Sequence, residues 1–273
     1  MLKKFRLIIF DIDGTLQNSR HEISPYTVEV IHCLQAQGIL ISICTGKTLP
    51  AVKSPAEKLN IQVPIIMGNG SILQYAHGQI VHASFFPEKI VRKIIELISA
   101  CDVDISVFTP ETIYVRKITE SVQAMMGFGA PHPQEISSWE LMQKDIQRVV
   151  KFVMLNMGGA PALLSVADAL ESHLDGQVSY FPTMPYMLEI LPPGENKASG
   201  LRRLADHLKI NTSEIIAIGD GDNDAVMLNL AGLGVAVANG TPVCKASADL
   251  IIDSNNEDGP ARFLDALLKA QMV

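Results

Sequence analysis

The chain has 273 residues and a formal net charge of −7, because 29 acidic side chains outnumber 22 basic ones. Its 48% hydrophobic and 19% charged residues exclude intrinsic disorder and predict a folded globular protein with one large domain or two modest ones. An acidic chain without clustered Lys and Arg excludes nucleic acid as the expected partner, and no apolar run approaches the ~18 residues that cross a bilayer.

The cysteines and the N-terminal segment predict a cytoplasmic location. The four cysteines are widely spaced and form no C-x-x-C pair, so they indicate neither a disulfide nor a zinc site. The apolar run over residues 7–10 is interrupted by an aspartate and is too short for a signal peptide. A reducing cytosol is therefore the expected compartment, and no membrane partner is expected.

The first part of the chain alternates between apolar runs and segments with helical spacing. Strands are predicted over 6–10, 39–44 and 63–67, helices over 25–37 and 49–59, and a hairpin over 72–75 and 79–82. Strands separated by helices of this length imply right-handed crossovers and a parallel sheet.

The middle of the chain has a different pattern, in which helices stand next to antiparallel strands. Here helices are predicted over 87–100 and 161–173, and strands over 105–108, 113–116, 149–155, 178–181 and 187–191. The first pattern then returns, with helices over 196–208, 225–230 and 258–270 and strands over 215–218 and 233–238. The prediction is an α/β fold: a Rossmann-like parallel sheet core with helices on both faces, formed by 1–82 and 189–273, and an inserted α+β domain over 83–188.

Two carboxylates stand at the end of the first predicted strand. Asp11 and Asp13 are followed by Gly14, which permits a tight exit from the strand. The carboxyl ends of parallel strands open into the crevice where ligands bind, so this position favours a functional role. The alternative is a surface turn with Asp13 as a helix N-cap.

A second acidic cluster follows the predicted strand 215–218. The segment 219–224 reads GDGDND, and its three carboxylates repel one another unless a cation lies between them. Hard oxygen ligands favour Mg²⁺. The alternatives are a calcium-type loop or a solvated acidic turn, although the EF-hand pattern fails in this segment.

Thr45 and Lys197 also occupy strand ends or helix starts. Thr45 precedes Gly46, and a hydroxyl with nearby backbone N–H groups can hold a phosphate oxygen, with a helix N-cap as the alternative. A P-loop is excluded, because Ile41 occupies the position where that motif needs its first glycine. Lys197 begins a predicted helix, where the helix dipole opposes positive charge, so an anionic neighbour is one interpretation and a solvated lysine the other.

In this order, the motifs resemble those of the haloacid dehalogenase-like (HAD) superfamily of phosphotransferases. The matching segments are 11–16 (DIDGTL), Thr45-Gly46, Lys197 and 219–224. The long insertion between Thr45 and Lys197 resembles, in position and length, the α/β cap of the Cof-like branch. Asn69-Gly70, after the third predicted strand, resembles a turn of that branch.

The resemblance implies a Mg²⁺-dependent phosphatase that hydrolyses small phosphorylated metabolites, such as sugar phosphates. It implies that Asp11 is the nucleophile that forms an aspartyl-phosphate, and that Asp13 is the general acid and then the general base. The implied metal ligands are Asp11, Asp13 through its backbone carbonyl, Asp220, Asn223 and Asp224. The implied substrate-binding residues are Thr45, Gly46, Lys197 and Asn223, of which Thr45 and Lys197 also stabilise charge in the transition state.

Two departures and two alternatives accompany this resemblance. Lys47 stands where many relatives have Arg, so a bidentate substrate contact is not expected there, and Ala198 replaces a frequent Gly. A phosphomutase of the phosphomannomutase-like type would pass the phosphoryl group to a second hydroxyl instead of water. A non-catalytic regulator that binds metal or phosphometabolites would show binding without turnover. The seven histidines are scattered without metal-binding spacing and are expected at the surface or in hydrogen bonds.

Overall fold

The secondary structure is taken from a computed structural model that describes residues 4–127, 130–158 and 160–270, and within them it has fourteen strands and nine α-helices. The strands are β1 Leu7–Phe10, β2 Leu40–Ile43, β3 Ile65–Met67, β4 Ile72–Gln74, β5 Ile80–Ala83, β6 Asp104–Phe108, β7 Ile113–Val115, β8 Gln134–Glu135, β9 Lys151–Leu155, β10 Ser179–Met184, β11 Met187–Leu191, β12 Ile215–Gly219, β13 Leu233–Val237 and β14 Leu250–Ile252. The helices are α1 Pro25–Ala36, α2 Leu49–Lys58, α3 Glu88–Ile98, α4 Glu120–Gly127, α5 Ala160–Leu174, α6 Lys197–Leu208, α7 Ala225–Leu230, α8 Pro242–Ala246 and α9 Gly259–Lys269.

The chain divides into two units. The first consists of the described residues of Met1–Gly46, Val52–Val81 and Asn196–Val273, and the second of those of Lys47–Ala51 and His82–Glu195. The predicted limits of the inserted domain, 83–188, remain a prediction. Their C-terminal end falls inside β11, which pairs with β9 and β10, and the second unit continues to Glu195.

The first unit is built on a five-stranded sheet in the order β14-β13-β12-β1-β2. Every pair of neighbours in it is parallel, as the alternation of strands and helices predicts. All residues of β1 and β12 are buried, which explains why these strands read as unbroken apolar runs. The prediction of an α/β fold with a parallel sheet is confirmed.

Helices cover both faces of this sheet. Leu7 and Ile9 of β1 belong to a buried cluster with residues of α6 and α7, among them Leu204 and Met227. The intervening side chains, such as Ile8, point to the opposite face and are fully buried as well. On that side α1 contacts α9 and β2, and α9 contacts β14.

The predicted third strand does not join the parallel sheet. It begins at Ile65, two residues later than predicted, and pairs antiparallel with β4 in a separate sheet of order β3-β4-β5. A single parallel bridge between Cys44 and Ile66 links it to the end of β2. Because β3 has only three residues and ends in a tight turn, its backbone groups pair with the next strand of the chain.

The second unit contains a six-stranded sheet in the order β10-β11-β9-β6-β7-β8. Its strands pair antiparallel except for β7 with β8. Helices α3 and α5 contact each other, and their apolar residues form one buried cluster with Phe152 of β9 and Ile190 of β11. This mixture of helices and antiparallel strands is the α+β pattern that the sequence predicts.

Four short elements were not anticipated from the sequence: β8, β14, α4 and α8. Each has two to eight residues, too few for hydrophobic periodicity to stand out. Among the described residues, no helix combines the length and apolar character needed to cross a bilayer.

Candidate active site

The site begins where two central strands of the first unit end side by side. Strands β1 and β12 are parallel neighbours, with Phe10 opposite Ile218. The backbone N–H of Asp11 donates to the carbonyl of Ile218 at 2.9 Å, so Asp11 emerges next to the end of β12 and close to Asp220. The two acidic motifs, more than 200 residues apart in the sequence, therefore meet at one sheet edge.

Lys197 joins these motifs through two buried ion pairs. Its Nζ lies 2.5 Å from Oδ1 of Asp11 and 2.5 Å from Oδ1 of Asp224, and its side chain is 1% exposed. The residue starts α6, where Asn196 and Ser199 form a reciprocal capping box that holds the helix end. Interpreting Lys197 as a solvated lysine is therefore wrong, and its anionic neighbours are two carboxylates.

A close approach of two backbone segments allows Lys197 to reach this position. Gly70 has φ +109, and a Cβ there would lie 2.0 Å from the carbonyl oxygen of Asn196. Only glycine therefore fits where the turn after β3 meets the start of α6.

Asp224 links the acidic loop to this lysine. Its Oδ2 accepts hydrogen bonds from the backbone N–H groups of Asp220 at 3.0 Å and Gly221 at 2.8 Å, while its Oδ1 faces Lys197. Both oxygens of the carboxylate are thus already bonded. Asp224 therefore links the acidic loop 219–224 to the ammonium group of Lys197.

Asp220 is oriented by the segment after β1. The Thr15 hydroxyl donates to Oδ1 of Asp220 at 2.6 Å. Gly14 has φ +78, and a Cβ there would lie 2.4 Å from Oδ2 of Asp220. Gly14 therefore adopts a left-handed backbone conformation and also leaves space for the Asp220 carboxylate.

The carboxylates fit a divalent cation. One oxygen each from Asp11, Asp220 and Asp224 lie within 4.8 Å of one another, and the ammonium group of Lys197 is paired with two of these carboxylates. Because both Asp224 oxygens accept hydrogen bonds, Asp11 and Asp220 are the better candidates for direct ligands. An excess of hard, negatively charged oxygen suits Mg²⁺.

The pKa values of the cluster reflect burial and this excess of negative charge. Burial raises the pKa of Asp11 well above its usual value, and the carboxylates of Asp224 and Asp220 raise it further against the opposing effect of Lys197. Burial also raises the pKa of Asp220 to about 6. For Lys197, burial disfavours the charged form, but the carboxylates of Asp11 and Asp224 outweigh it, so the lysine pKa is raised.

Thr45, Gly46 and Asn223 are connected through Asn69. The backbone N–H of Asn69 donates to the Thr45 carbonyl at 3.0 Å, and its side-chain Oδ1 accepts from Nδ2 of Asn223 at 3.1 Å. Thr45 is buried, and a Cβ on Gly46 would lie 3.0 Å from Nδ2 of Asn69. The end of β2 and the acidic loop are therefore held together by one asparagine.

Asp13 is placed apart from the three-carboxylate cluster. Its Oδ1 lies 3.7 Å from Nδ1 of His21, and both side chains are partly exposed. Metal binding through the Asp13 backbone carbonyl remains a prediction.

Sequence reasoning missed several of these contacts. Thr15 lies inside the first motif, so its position was a signal that could have been used. Asn69 was noticed only as part of a turn, and its φ of 53 is the kind of left-handed conformation that asparagine tolerates. The contact between His21 and Asp13 had no signal, because scattered histidines reveal nothing about their neighbours.

Comparisons with known proteins agree with this geometry. The family model described as haloacid dehalogenase-like hydrolase matches residues 8–264. A phosphoglycolate phosphatase of Methanopyrus kandleri is 28% identical over 265 residues, covering 96% of this chain and 97% of its own length. A 5-amino-6-(5-phospho-D-ribitylamino)uracil phosphatase of Bacillus subtilis, YitU, is 27% identical over 263 residues, covering 94% and 96%.

A solved structure gives the same result. The crystal structure of a haloacid dehalogenase-like hydrolase from Bacteroides thetaiotaomicron superposes with a TM-score of 0.85 and 29% identity, covering 96% of this chain and 99% of that one. The similarity thus extends over both units of the chain.

Proposed function

The chain belongs to the haloacid dehalogenase-like hydrolases and is a phosphatase of that family, and from this premise we propose that it hydrolyses small phosphorylated metabolites with Mg²⁺ as cofactor, through an aspartyl-phosphate. The observation that carries the proposal is the buried contact of Lys197 with Asp11 and Asp224. Lys197 lies between two carboxylates with a third nearby at the end of a parallel sheet, and this excess of buried negative charge is explained by a bound cation and a chemical task.

Asp11 is the nucleophile in this proposal. Its carboxylate attacks phosphorus, the bond to the leaving oxygen breaks, and an acyl phosphate forms on Asp11 that water then hydrolyses. Lys197 holds the carboxylate in place and offsets negative charge on the phosphoryl oxygens in the transition state. When bound, Mg²⁺ supplies the positive charge that lets an anionic nucleophile approach an anionic phosphate.

Asp13 supplies the proton steps. It donates a proton to the leaving oxygen in the first step and accepts one from water in the second. Asp13 stands outside the carboxylate cluster, so it can serve the leaving-group side while Asp11 and Asp220 hold the metal. Asp13 through its backbone carbonyl, Asn223 and Asp224 complete or support the metal site.

Thr45, Gly46, Lys197 and Asn223 bind the phosphoryl group. The hydroxyl, the backbone N–H and the amide offer neutral donors, whereas Lys197 offers charge. The link through Asn69 supports this assignment, because it fixes Thr45 relative to Asn223. A rigid set of donors stabilises a transition state without reorganising.

The substrate class follows from the named relatives. Both relatives described above carry names of phosphatases for small phosphorylated compounds, and these names favour water over a second hydroxyl as the phosphoryl acceptor. The phosphomutase alternative and the non-catalytic alternative therefore lose support.

The test is release of phosphate from a panel of small phosphomonoesters with Mg²⁺. Asp11→Asn should lose turnover while its circular dichroism and melting temperature show a folded protein, and wild type should acquire a hydroxylamine-sensitive label from radiolabelled substrate. Asp102→Asn is the matched control, because Asp102 and Asp104 in the second unit repeat the spacing of Asp11 and Asp13, and it should keep full activity. Turnover by Asp11→Asn, or an isomerised phosphate ester without free phosphate, would contradict the proposal.

A further inference from the structure

We propose that Asn239 is a positioning residue for the cation site, because its side chain holds the segment after β1 in the conformation that brings Thr15 to Asp220. The inference rests on the proposed function, since it takes Mg²⁺ as the cation that Asp220 binds. Its geometric basis is a hydrogen bond from Nδ2 of Asn239 to the Gly14 carbonyl at 2.7 Å. Asn239 follows the end of β13, the strand next to β12, so a further strand end contributes to the site.

Gly14 needs this support because its own backbone is free to move. The position requires glycine, since its φ is +78 and a Cβ there would lie 2.4 Å from Oδ2 of Asp220. Glycine, however, has more backbone freedom than any other residue. The Gly14 carbonyl belongs to the peptide group that leads into Thr15, whose hydroxyl donates to Oδ1 of Asp220 at 2.6 Å. A donor on that carbonyl therefore restrains Thr15 and, through it, the Asp220 carboxylate.

The Asn239 amide is itself held in one orientation. Its Oδ1 accepts from the backbone N–H of Asn255 at 3.0 Å, so Nδ2 is the atom that faces Gly14. Asn255 in turn donates through Nδ2 to the Gln17 carbonyl at 2.7 Å. An amide at position 239 satisfies both of its contacts, whereas an ionised carboxylate of the same shape can only accept.

The loop that carries Asn239 also holds the acidic loop after β12. The backbone N–H of Thr241 donates to the Asp220 carbonyl at 2.8 Å, and its hydroxyl donates to Oδ1 of Asp222 at 2.6 Å. Asn239 and Thr241 therefore bind the loop after β1 and the loop after β12 from one short segment. Fixed spacing between these two loops lowers the free-energy cost of bringing their oxygen ligands to one cation.

Two substitutions of Asn239 test the donor. Asn239→Ala removes the side-chain amide, and because Asn239 is exposed the fold should tolerate the change. Asn239→Asp keeps the shape and the acceptor for the Asn255 N–H but cannot donate to the Gly14 carbonyl. An added surface charge of this sign favours cation binding, so weaker binding would come from the lost donor.

Asn256→Ala is the matched control. Oδ1 of Asn256 accepts from the backbone N–H of Ser19 at 2.9 Å, so this exposed asparagine holds the same segment at a point beyond Thr15. Losing either hydrogen bond should cost similar stability, but only the loss at Gly14 should reach the cation site.

The first readout is a calorimetric titration with MgCl₂ in the absence of substrate, at ~0.15 M KCl to screen the surface charge. We expect Mg²⁺ to bind Asn239→Ala and Asn239→Asp about fivefold more weakly than wild type, the effect of one net hydrogen bond. Asn256→Ala should bind Mg²⁺ as wild type does, although it and Asn239→Ala should both melt about 2–4 °C lower.

The second readout is phosphate release as a function of Mg²⁺ concentration. Both Asn239 variants should need about fivefold more Mg²⁺ for half-maximal rate. At saturating Mg²⁺ their kcat should be within about twofold of wild type, because the free energy of cation binding then offsets the cost of ordering the loops. A loss of kcat that saturating Mg²⁺ does not restore would contradict a role in cation positioning.

The outcomes distinguish this inference from the proposed function. If either Asn239 variant binds Mg²⁺ as tightly as wild type, or if Asn256→Ala is weakened equally, the positioning role is wrong. A wild-type protein that binds no Mg²⁺, or whose turnover does not depend on Asp11, would overturn the proposed function and this inference with it. Mg²⁺-dependent turnover that is indifferent to Asn239 would overturn the inference alone.

Discussion

Each unit of the molecule contains a buried lysine paired with carboxylate, and the two pairs differ in their surroundings. In the second unit, Nζ of Lys151 lies 2.9 Å from Oε2 of Glu189 and 4.7 Å from the centre of the Phe108 ring, across neighbouring strands of one sheet. In the first unit, Lys197 contacts the carboxylates of Asp11 and Asp224 beyond the carboxyl ends of the central strands, and the Asp220 carboxylate lies nearby.

The comparison shows that a buried ion pair alone does not indicate a reactive site. Lys151 is the first residue of β9 and Glu189 is the middle residue of the neighbouring strand β11, so the pair adds to the cross-strand contacts of the sheet. The Lys197 cluster has more carboxylates than ammonium groups and lies where strands end. Excess charge of one sign at a strand end, and not burial, is what indicates a metal-dependent reaction.

The largest expected effect comes from removing the lysine of the first unit. Lys197→Met should lower kcat by about a thousandfold or more, because it deletes charge stabilisation and leaves Asp11 and Asp224 without their shared counter-charge. Phosphate release with Mg²⁺ measures this loss. A folded Lys197→Met protein with near wild-type kcat would show that Lys197, like Lys151, has no role in the reaction.

Breaking the pair of the second unit should act on stability. Lys151→Met leaves Glu189 buried without this ammonium partner and should lower the free energy of unfolding by about 3–5 kcal/mol. The double variant Lys151→Met/Glu189→Met should recover most of that loss, because apolar side chains of similar size fill the space. Urea unfolding of both variants measures the difference, and a double variant no more stable than Lys151→Met would contradict this account.

The smallest expected effect concerns Asp220 and depends on pH. Because its pKa is raised from 3.8 to about 6 in the folded protein, its contribution to stability is complete below about pH 4 and is lost as the pH rises through 6. Above that pH the ionised group destabilises the metal-free protein by up to about 3 kcal/mol. Asp220→Asn avoids this cost, so in EDTA it should melt higher than wild type at pH 7.5, with a difference that shrinks towards pH 5.

Mg²⁺ provides the control for that measurement. At pH 7.5 the ion should raise the melting temperature of wild type more than that of Asp220→Asn, because the substitution removes one of the proposed ligands. A pH-independent difference between the two proteins, or an equal response to Mg²⁺, would show that Asp220 does not carry the excess charge.

Much of the fold could be predicted from the sequence, because the patterns that indicate strands and helices are local. Runs rich in apolar residues predicted β1, β2 and β12, and helical spacing predicted α1, α6 and α9 within one or two residues of their ends. Short elements such as α8, and the departure of β3 from the parallel sheet, were not readable. Their partners are chosen by packing, which no window of a few residues records.

The site divides in the same way. By itself, the sequence determined which residues stand at the ends of strands: Asp11 after β1, Thr45 after β2 and Asp220 after β12, because strand limits follow from local runs. Only the tertiary structure decided that Lys197 lies between Asp11 and Asp224, that Asn69 holds Asn223, and that His21 faces Asp13. The physical reason is sequence separation: the contact of Lys197 with Asp11 spans 186 positions, and side chains that far apart meet only after helices pack on the sheet.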